Sequence, residues 1–186
     1  MITPKIFVIF LALVFALYLK PNRIFLSSTN INRASETPRF IQIPSLQINL
    51  PVEVSKIKDN QWLVTNKKSA FFGEKSAFPG GHGATVIFAH ATSNLFALLP
   101  MLKEKDVIVI QTIDMMYSYQ VKEKKIVDPS DVFFLNQNES QKNELAIFTC
   151  FGFNDAKRII FFATLQNAIP IHDLNKSDIK INKAFI

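Results

Sequence analysis

Cys150 is the only cysteine in this 186-residue chain, and Arg158 follows it in the stretch Glu144–Leu165, ELAIFTCFGFNDAKRIIFFATL. Two apolar runs, Leu145–Phe148 and Ile159–Leu165, flank a polar segment carrying Gly152, Asn154 and Asp155. Ile- and Phe-rich runs of this length, interrupted in this way, predict two buried strands joined by a loop. The thiol then ends one strand and the guanidinium opens the next, side by side at one rim of a sheet. A thiolate attacks a carbonyl carbon, and a neighbouring guanidinium can receive the oxyanion. Such chemistry also needs a proton carrier. Of the three histidines, His90 closes the apolar run Ala84–Ala89 and is expected at a strand end, whereas His82 lies in a PGGHG turn and His172 follows Pro170 near the terminus. Each residue also has a blander reading. A lone cysteine among apolar neighbours commonly serves as a small buried hydrophobe, a strand-end histidine as a polar rim residue, and an arginine at a strand start as a solvated charge. The case for a site rests on all three falling at strand ends.

The elements that would position these groups are short and extended. Phe40–Ile43 and Leu50–Val54 alternate or nearly alternate apolar with polar residues, as half-buried strands do. Pro44 and Pro51 are expected to confine them to edges or strand starts. Trp62–Val64 reads as a further short strand, Val107–Thr112 as a compact apolar one, and Val132–Leu135 as another. Tyr117–Lys122 alternates cleanly, which sets both tyrosines and Val121 on one face. Leu95–Lys103 suits one or two helical turns, limited by Pro100. About eight short strands at regular spacing, with no long helix, predict a mainly β domain closed or nearly closed as a barrel, with one or two short helices. A hydrophobic content of 48%, with 18 Phe and only 5 Gly, argues for a well-filled interior and against disorder.

The order of these pieces resembles the sortases, cysteine transpeptidases of bacterial cell surfaces. TVIFAH (Thr85–His90), LAIFTC (Leu145–Cys150) and KRIIFFATL (Lys157–Leu165) are similar to that family's strand ending in His, later strand ending in Thr-Cys, and Arg-opened next strand. IQIPSLQINLPV (Ile41–Val52), AFPGGHGATVIFAH (Ala77–His90) and FALLPMLKEKDVIVIQT (Phe96–Thr112) extend the likeness, which covers roughly Phe40–Leu165. Some positions depart from the common pattern. Ala89-His90-Ala91 stands where many members have Gly-His-Arg, Lys105-Asp106 where many have Gly-Asp, and the loop from Cys150 to Arg158 is short and lacks the usual proline. A D- or E-like subclass is the expectation.

The resemblance implies a sortase-like β-barrel and a thioacyl route. Cys150 attacks the carbonyl of a sorting-signal peptide, Arg158 stabilises the oxyanion, and His90 serves the leaving and incoming amines. The acceptor would be an amine of a cell-wall peptide or a protein lysine. Pairing with a His90 imidazolium is expected to supply the reactive thiolate. Phe151 and Phe153 either line the peptide groove or pack into the barrel. Some sortases use calcium, yet no calcium loop and no Cys/His pair of zinc-like spacing is found here, so neither a metal nor another cofactor is expected. Two further readings share these residues: a hydrolytic cysteine peptidase, with water in place of the amine, and a membrane-tethered β-barrel that binds peptides or glycans without chemistry.

The formal charge of +6 and pI near 9.4 favour anionic polymers or lipid surfaces. Lys and Arg are spread along the chain with no clustered basic helix or aromatic ladder, so no nucleic-acid partner is expected. Ile6–Leu19 is uninterrupted by charge but shorter than the roughly twenty residues of a full span. Lys20-Pro21 follows at once and no convincing cleavage site precedes Thr29, which favours an uncleaved anchor extended by Ile24–Leu26. Lys20, Arg23 and Arg33 beyond the run slightly oppose the orientation that an outward-facing domain needs. The expected organisation is an N-terminal transmembrane helix over 1–26, a polar linker over 27–38, a catalytic barrel over 39–168 and a C-terminal extension over 169–186. The expected location is the cell membrane, single-pass, with the domain extracytoplasmic.

Overall fold

The computed structural model describes residues 36–59, 61–65, 67–136 and 143–174, all within the unit Asn32–Ile186. The expected anchor, nearly all of the linker and the end of the C-terminal extension lie outside the described residues. In chain order the strands are β1 (Phe40–Ile43), β2 (Ile48–Ser55), β3 (Ile57–Lys58), β4 (Gln61–Trp62), β5 (Ala70–Gly73), β6 (Gly83–Phe88), β7 (Val107–Gln111), β8 (Met115–Val127), β9 (Asn143–Phe151) and β10 (Lys157–Pro170). Eight of them close a barrel in the order β1-β2-β5-β6-β9-β10-β8-β7, while β3 and β4 form a separate two-stranded sheet. Neighbours run antiparallel except β2–β5 and β6–β9, which are parallel.

Period-two alternation fills this barrel. Ile41, Ile43, Ile87, Ile108, Ile110, Tyr119, Val121, Leu145, Ile147, Ile159 and Phe161 are buried in one central cluster. The face of β8 that carries Tyr117, Tyr119 and Val121 contributes to it, as its pattern required. A second, smaller cluster coats the outside of the barrel where β5, β6, β9 and β10 adjoin: Phe71, Val86, Phe88, Ala146, Phe148 and Ile160. Here both faces of the sheet are covered, which is why β6 and β9 read as continuous apolar runs.

Some local expectations needed revision. Val132–Leu135 is no strand but part of a 3-10 segment, Pro129–Asn136. Pro129 fits a first helical turn, and an apolar run of four carries no period that separates strand from helix. A barrel strand at Ala70–Gly73 was missing from the expected set, because four residues buried on both faces show no alternation. The strand around Trp62 is Gln61–Trp62 and belongs to the small outer sheet. Pro51 sits inside β2, not at an edge. The Val52 N–H turns toward the Arg39 carbonyl on the β1 side, so the donor that Pro51 lacks would point the other way, just before β5 pairing begins at Val52. From Phe40 onward, helical structure among the described residues is of 3-10 type, including Leu99–Met101 with Pro100 in its turn. No helix among the described residues is long and apolar enough to cross a membrane.

Candidate active site

His90, Cys150 and Arg158 come from three adjacent barrel staves. Parallel pairing of β6 and β9 ends at Phe88 and Phe148; His90 lies two residues beyond the first and Cys150 two beyond the second. Across the antiparallel β9–β10 pair, Arg158 is the register partner of Cys150. All three line one cleft of about 730 Å³ on the outside of the barrel. Alternation explains why the thiol lies there. Thr149 is buried and Leu145 and Ile147 point into the core, so Cys150 shares the outer face with Ala146 and Phe148. Trp62 of β4, Val64 just beyond it, and Pro129, Ser130 and Val132 of the 3-10 segment also line this cleft.

Where the β6–β9 ladder runs out, a side chain takes over. The Ala89 N–H reaches the Phe148 carbonyl only at 3.4 Å. The Thr149 hydroxyl, buried, donates to the Ala89 carbonyl at 2.8 Å and so ties the residue before the thiol to the residue before the imidazole. On the other side the Phe96 N–H donates to the His90 carbonyl at 3.0 Å, anchoring the chain as it leaves the cleft.

The thiol is half-buried, and burial pushes it above its ordinary value. The Arg158 guanidinium pulls in the opposite direction, and the Asp155 carboxylate adds to the rise. Desolvation is the largest of these influences, and the net direction is upward. One Arg158 nitrogen, Nη1, donates to the carbonyls of Asp155 and Lys157, both at 2.8 Å, fixing the β9–β10 loop. Nε and Nη2 have no partner among the described residues and are free to meet an oxyanion. Among those residues no group of three or more His, Cys, Asp or Glu could hold a metal ion.

Neither Phe151 nor Phe153 lines the cleft. Phe151 follows Cys150 on a strand, so it must face the opposite way, and it packs partly buried against the barrel core. Phe153 stands 87% exposed in the turn after Gly152. The aromatic side chains that do meet the cleft are Trp62, Phe88 and Phe148. Sequence reasoning passed over Trp62 although it is the only tryptophan in the chain. Asp59 and Ser130, also on the cleft, left no signal beyond being polar.

Residues 41–166 match the sortase domain family. The fold is similar to that of Listeria monocytogenes sortase A, with 22% identity and a TM-score of 0.62 over 78% of this chain and 94% of that one. SrtA sortase from Actinomyces oris gives 21% identity and a TM-score of 0.64 over 76% and 86% of the two chains. Sortase C from Clostridium perfringens SM101 gives 24% and 0.58 over 69% and 68%. No curated protein sequence matches. The structural likenesses, at these identities, speak for the fold, while the domain match spans well over half of the sequence: the chain belongs to the sortase family of cysteine transpeptidases.

Proposed function

We propose that Cys150 is the nucleophile, His90 the proton carrier and Arg158 the oxyanion donor of a transpeptidase that moves a surface protein's sorting-signal peptide to an amine. The observation that carries this reading is the convergence of the three groups, from three adjacent strands, on one cleft. As the Cys150 sulfur bonds to the donor carbonyl carbon, its proton passes to His90. The carbonyl electron pair moves to oxygen, where the Arg158 guanidinium meets it, a contribution of about 3 kcal/mol when water is excluded. Collapse of the tetrahedral intermediate breaks the C–N bond, and His90 returns the proton to the departing amine, leaving a thioester. The acceptor amine then attacks the thioester carbonyl and gives a proton to His90. The new amide forms as the sulfur leaves and is reprotonated.

Sortases in general join sorting-signal proteins to amine acceptors at the cell surface. For this chain the acceptor is read as a cell-wall peptide amine or a protein lysine, the subclass as D- or E-like, and the location as the cell membrane, with Ile6–Leu19 as a single-pass anchor and the barrel extracytoplasmic. The steps above call for no cofactor.

The test is mass spectrometry of the full chain incubated with sorting-type peptides, with and without amine acceptors. An acyl adduct on Cys150 that is absent from Cys150→Ala, with amide product only when amine is added, is the expected result. Hydrolysed peptide alone in the presence of amine would mean a peptidase, and no adduct with any donor would overturn the assignment of Cys150.

A further inference from the structure

Lys157 stands directly before Arg158, where β10 has only one of its two neighbours. Pairing with β9 already includes Lys157, opposite Phe151, whereas pairing with β8 begins at Arg158, opposite Val127. On its β8 side Lys157 therefore has no ladder partner among the described residues. A side chain takes that place: Lys157 Nζ donates to the Asp128 carboxylate at 2.8 Å, one residue past the end of β8. The stem of the same lysine lies next to the turn that follows the thiol, since a Cβ built on Gly152 would sit 3.9 Å from Lys157 Cγ. Lys157 thus joins the end of β8 to the β9–β10 loop.

The guanidinium depends on that loop. Arg158 Nη1 donates to the carbonyl of Asp155 and to that of Lys157 itself, both at 2.8 Å. The loop has little of its own to keep its shape: Asn154 and Asp155 both lie in the left-handed region, at φ 51° and 57°, and every residue from Gly152 to Lys157 is exposed. Such backbone persists where its surroundings fix it. Resting on the reading of Arg158 as the oxyanion donor, we propose that Lys157 is a positioning residue for it: the ion pair with Asp128 pins the start of β10, whose carbonyls hold the guanidinium beside Cys150. A group that fixes the orientation of an oxyanion donor supports the reaction without touching the substrate. The two side chains are 48% and 59% exposed, so the pair is a weak one and salt weakens it further. Its effect is a few-fold, in the step that builds the oxyanion. A lysine that only solvated the loop would leave both that step and the thiol unchanged.

The experiment uses the full chain with Lys157→Met, Lys157→Arg or Asp128→Asn, each alone and together with Arg158→Gln. It reads acyl-enzyme formation with sorting-type peptides and, separately, the pH midpoint of Cys150 alkylation by iodoacetamide. Lys157→Met and Asp128→Asn are each expected to lower kcat for acylation by about threefold with KM little changed, and to move the midpoint upward. The side chains that shift the thiol are Arg158 and Asp155, and Lys157 is not among them. A midpoint that moves when Lys157 is lost therefore moves through Arg158. Lys157→Arg, which keeps the cation, should restore both readouts. In the Arg158→Gln background neither substitution should add to the loss, because the group they position is gone. Unchanged kcat and midpoint in both Lys157→Met and Asp128→Asn overturn the positioning role, and so does an equal loss with and without Arg158. Wild-type protein that forms no acyl-enzyme with any donor overturns instead the assignment of Cys150, and the alkylation midpoints then still decide whether Lys157 positions Arg158.

Discussion

At Cys150 three influences are separable by substitution. Burial raises the thiol, Arg158 lowers it and Asp155 raises it. The thiolate fraction is therefore expected to grow with pH about a midpoint higher than that of an ordinary cysteine. Iodoacetamide labelling of the folded chain should show a midpoint above that of the same chain in denaturant. Arg158→Gln should move it further up, because the cation that opposes burial is gone, and Asp155→Asn should move it down. A midpoint below the denatured chain's would contradict the geometry. The three proposed catalytic residues were legible in the sequence because each ended or opened an apolar run, and apolar runs of that kind mark strands. The groove was not. Phe151 and Phe153 are next to the thiol in sequence, but neighbours on a strand face opposite ways. The aromatic residue that reaches the cleft, Trp62, does so through contacts with Phe88 and Phe148 in distant strands, which no local pattern encodes.

Among the elements, the junction of β6 with β9 sets how the imidazole and thiol stand to one another. Its last tie is the Thr149 hydroxyl on the Ala89 carbonyl. Thr149→Val keeps the shape and removes the donor, leaving a buried carbonyl unsatisfied. A stability loss of about 1 kcal/mol is expected in denaturant unfolding. The rate of acyl-enzyme formation should fall by more than that loss explains, toward the order of 100-fold that misplacement of about 1 Å costs. Thr149→Ser, which retains the hydroxyl, should recover most of the rate; equal rates in the valine variant and the wild type would remove Thr149 from any positioning role. Strands with a polar partner face, such as β1 and the first half of β8, were readable from their alternation. Ala70–Gly73 was not, since it is covered on both sides and too short to show a period. The 3-10 segment Pro129–Asn136 was misread for the complementary reason: its apolar residues cluster without alternating.

Over the whole barrel, one buried polar group makes a solvent condition decisive. The Tyr119 hydroxyl, inside the central cluster, accepts the Gly80 N–H at 2.9 Å, and burial raises its pKa from 10.0 to about 12. An acid whose pKa is raised on folding stabilises the fold while it stays protonated, so that contribution is complete below pH 10 and disappears as pH climbs toward 12. Thermal melts should therefore drop over this window. Tyr119→Phe should flatten the drop and, at neutral pH, cost about 1 kcal/mol for the orphaned Gly80 N–H. A variant that melts with the wild-type alkaline profile would show that another group controls it. The closed order of staves, like the number of strands, follows from so many short segments having to bury one face each. The parallel contact of β6 with β9 has a consequence in time. It joins positions sixty residues apart, as the Thr149–Ala89 tie records. Topologies rich in such distant pairings fold in milliseconds to seconds rather than microseconds. Until that pairing closes, the thiol has neither its shelter nor its neighbours and labels like cysteine in any unfolded chain. Pulse alkylation of refolding protein should show Cys150 passing from fast to slow labelling in one late step, with competence to form the thioester arriving in that same step, so that a newly made chain becomes an enzyme only at the end of its folding.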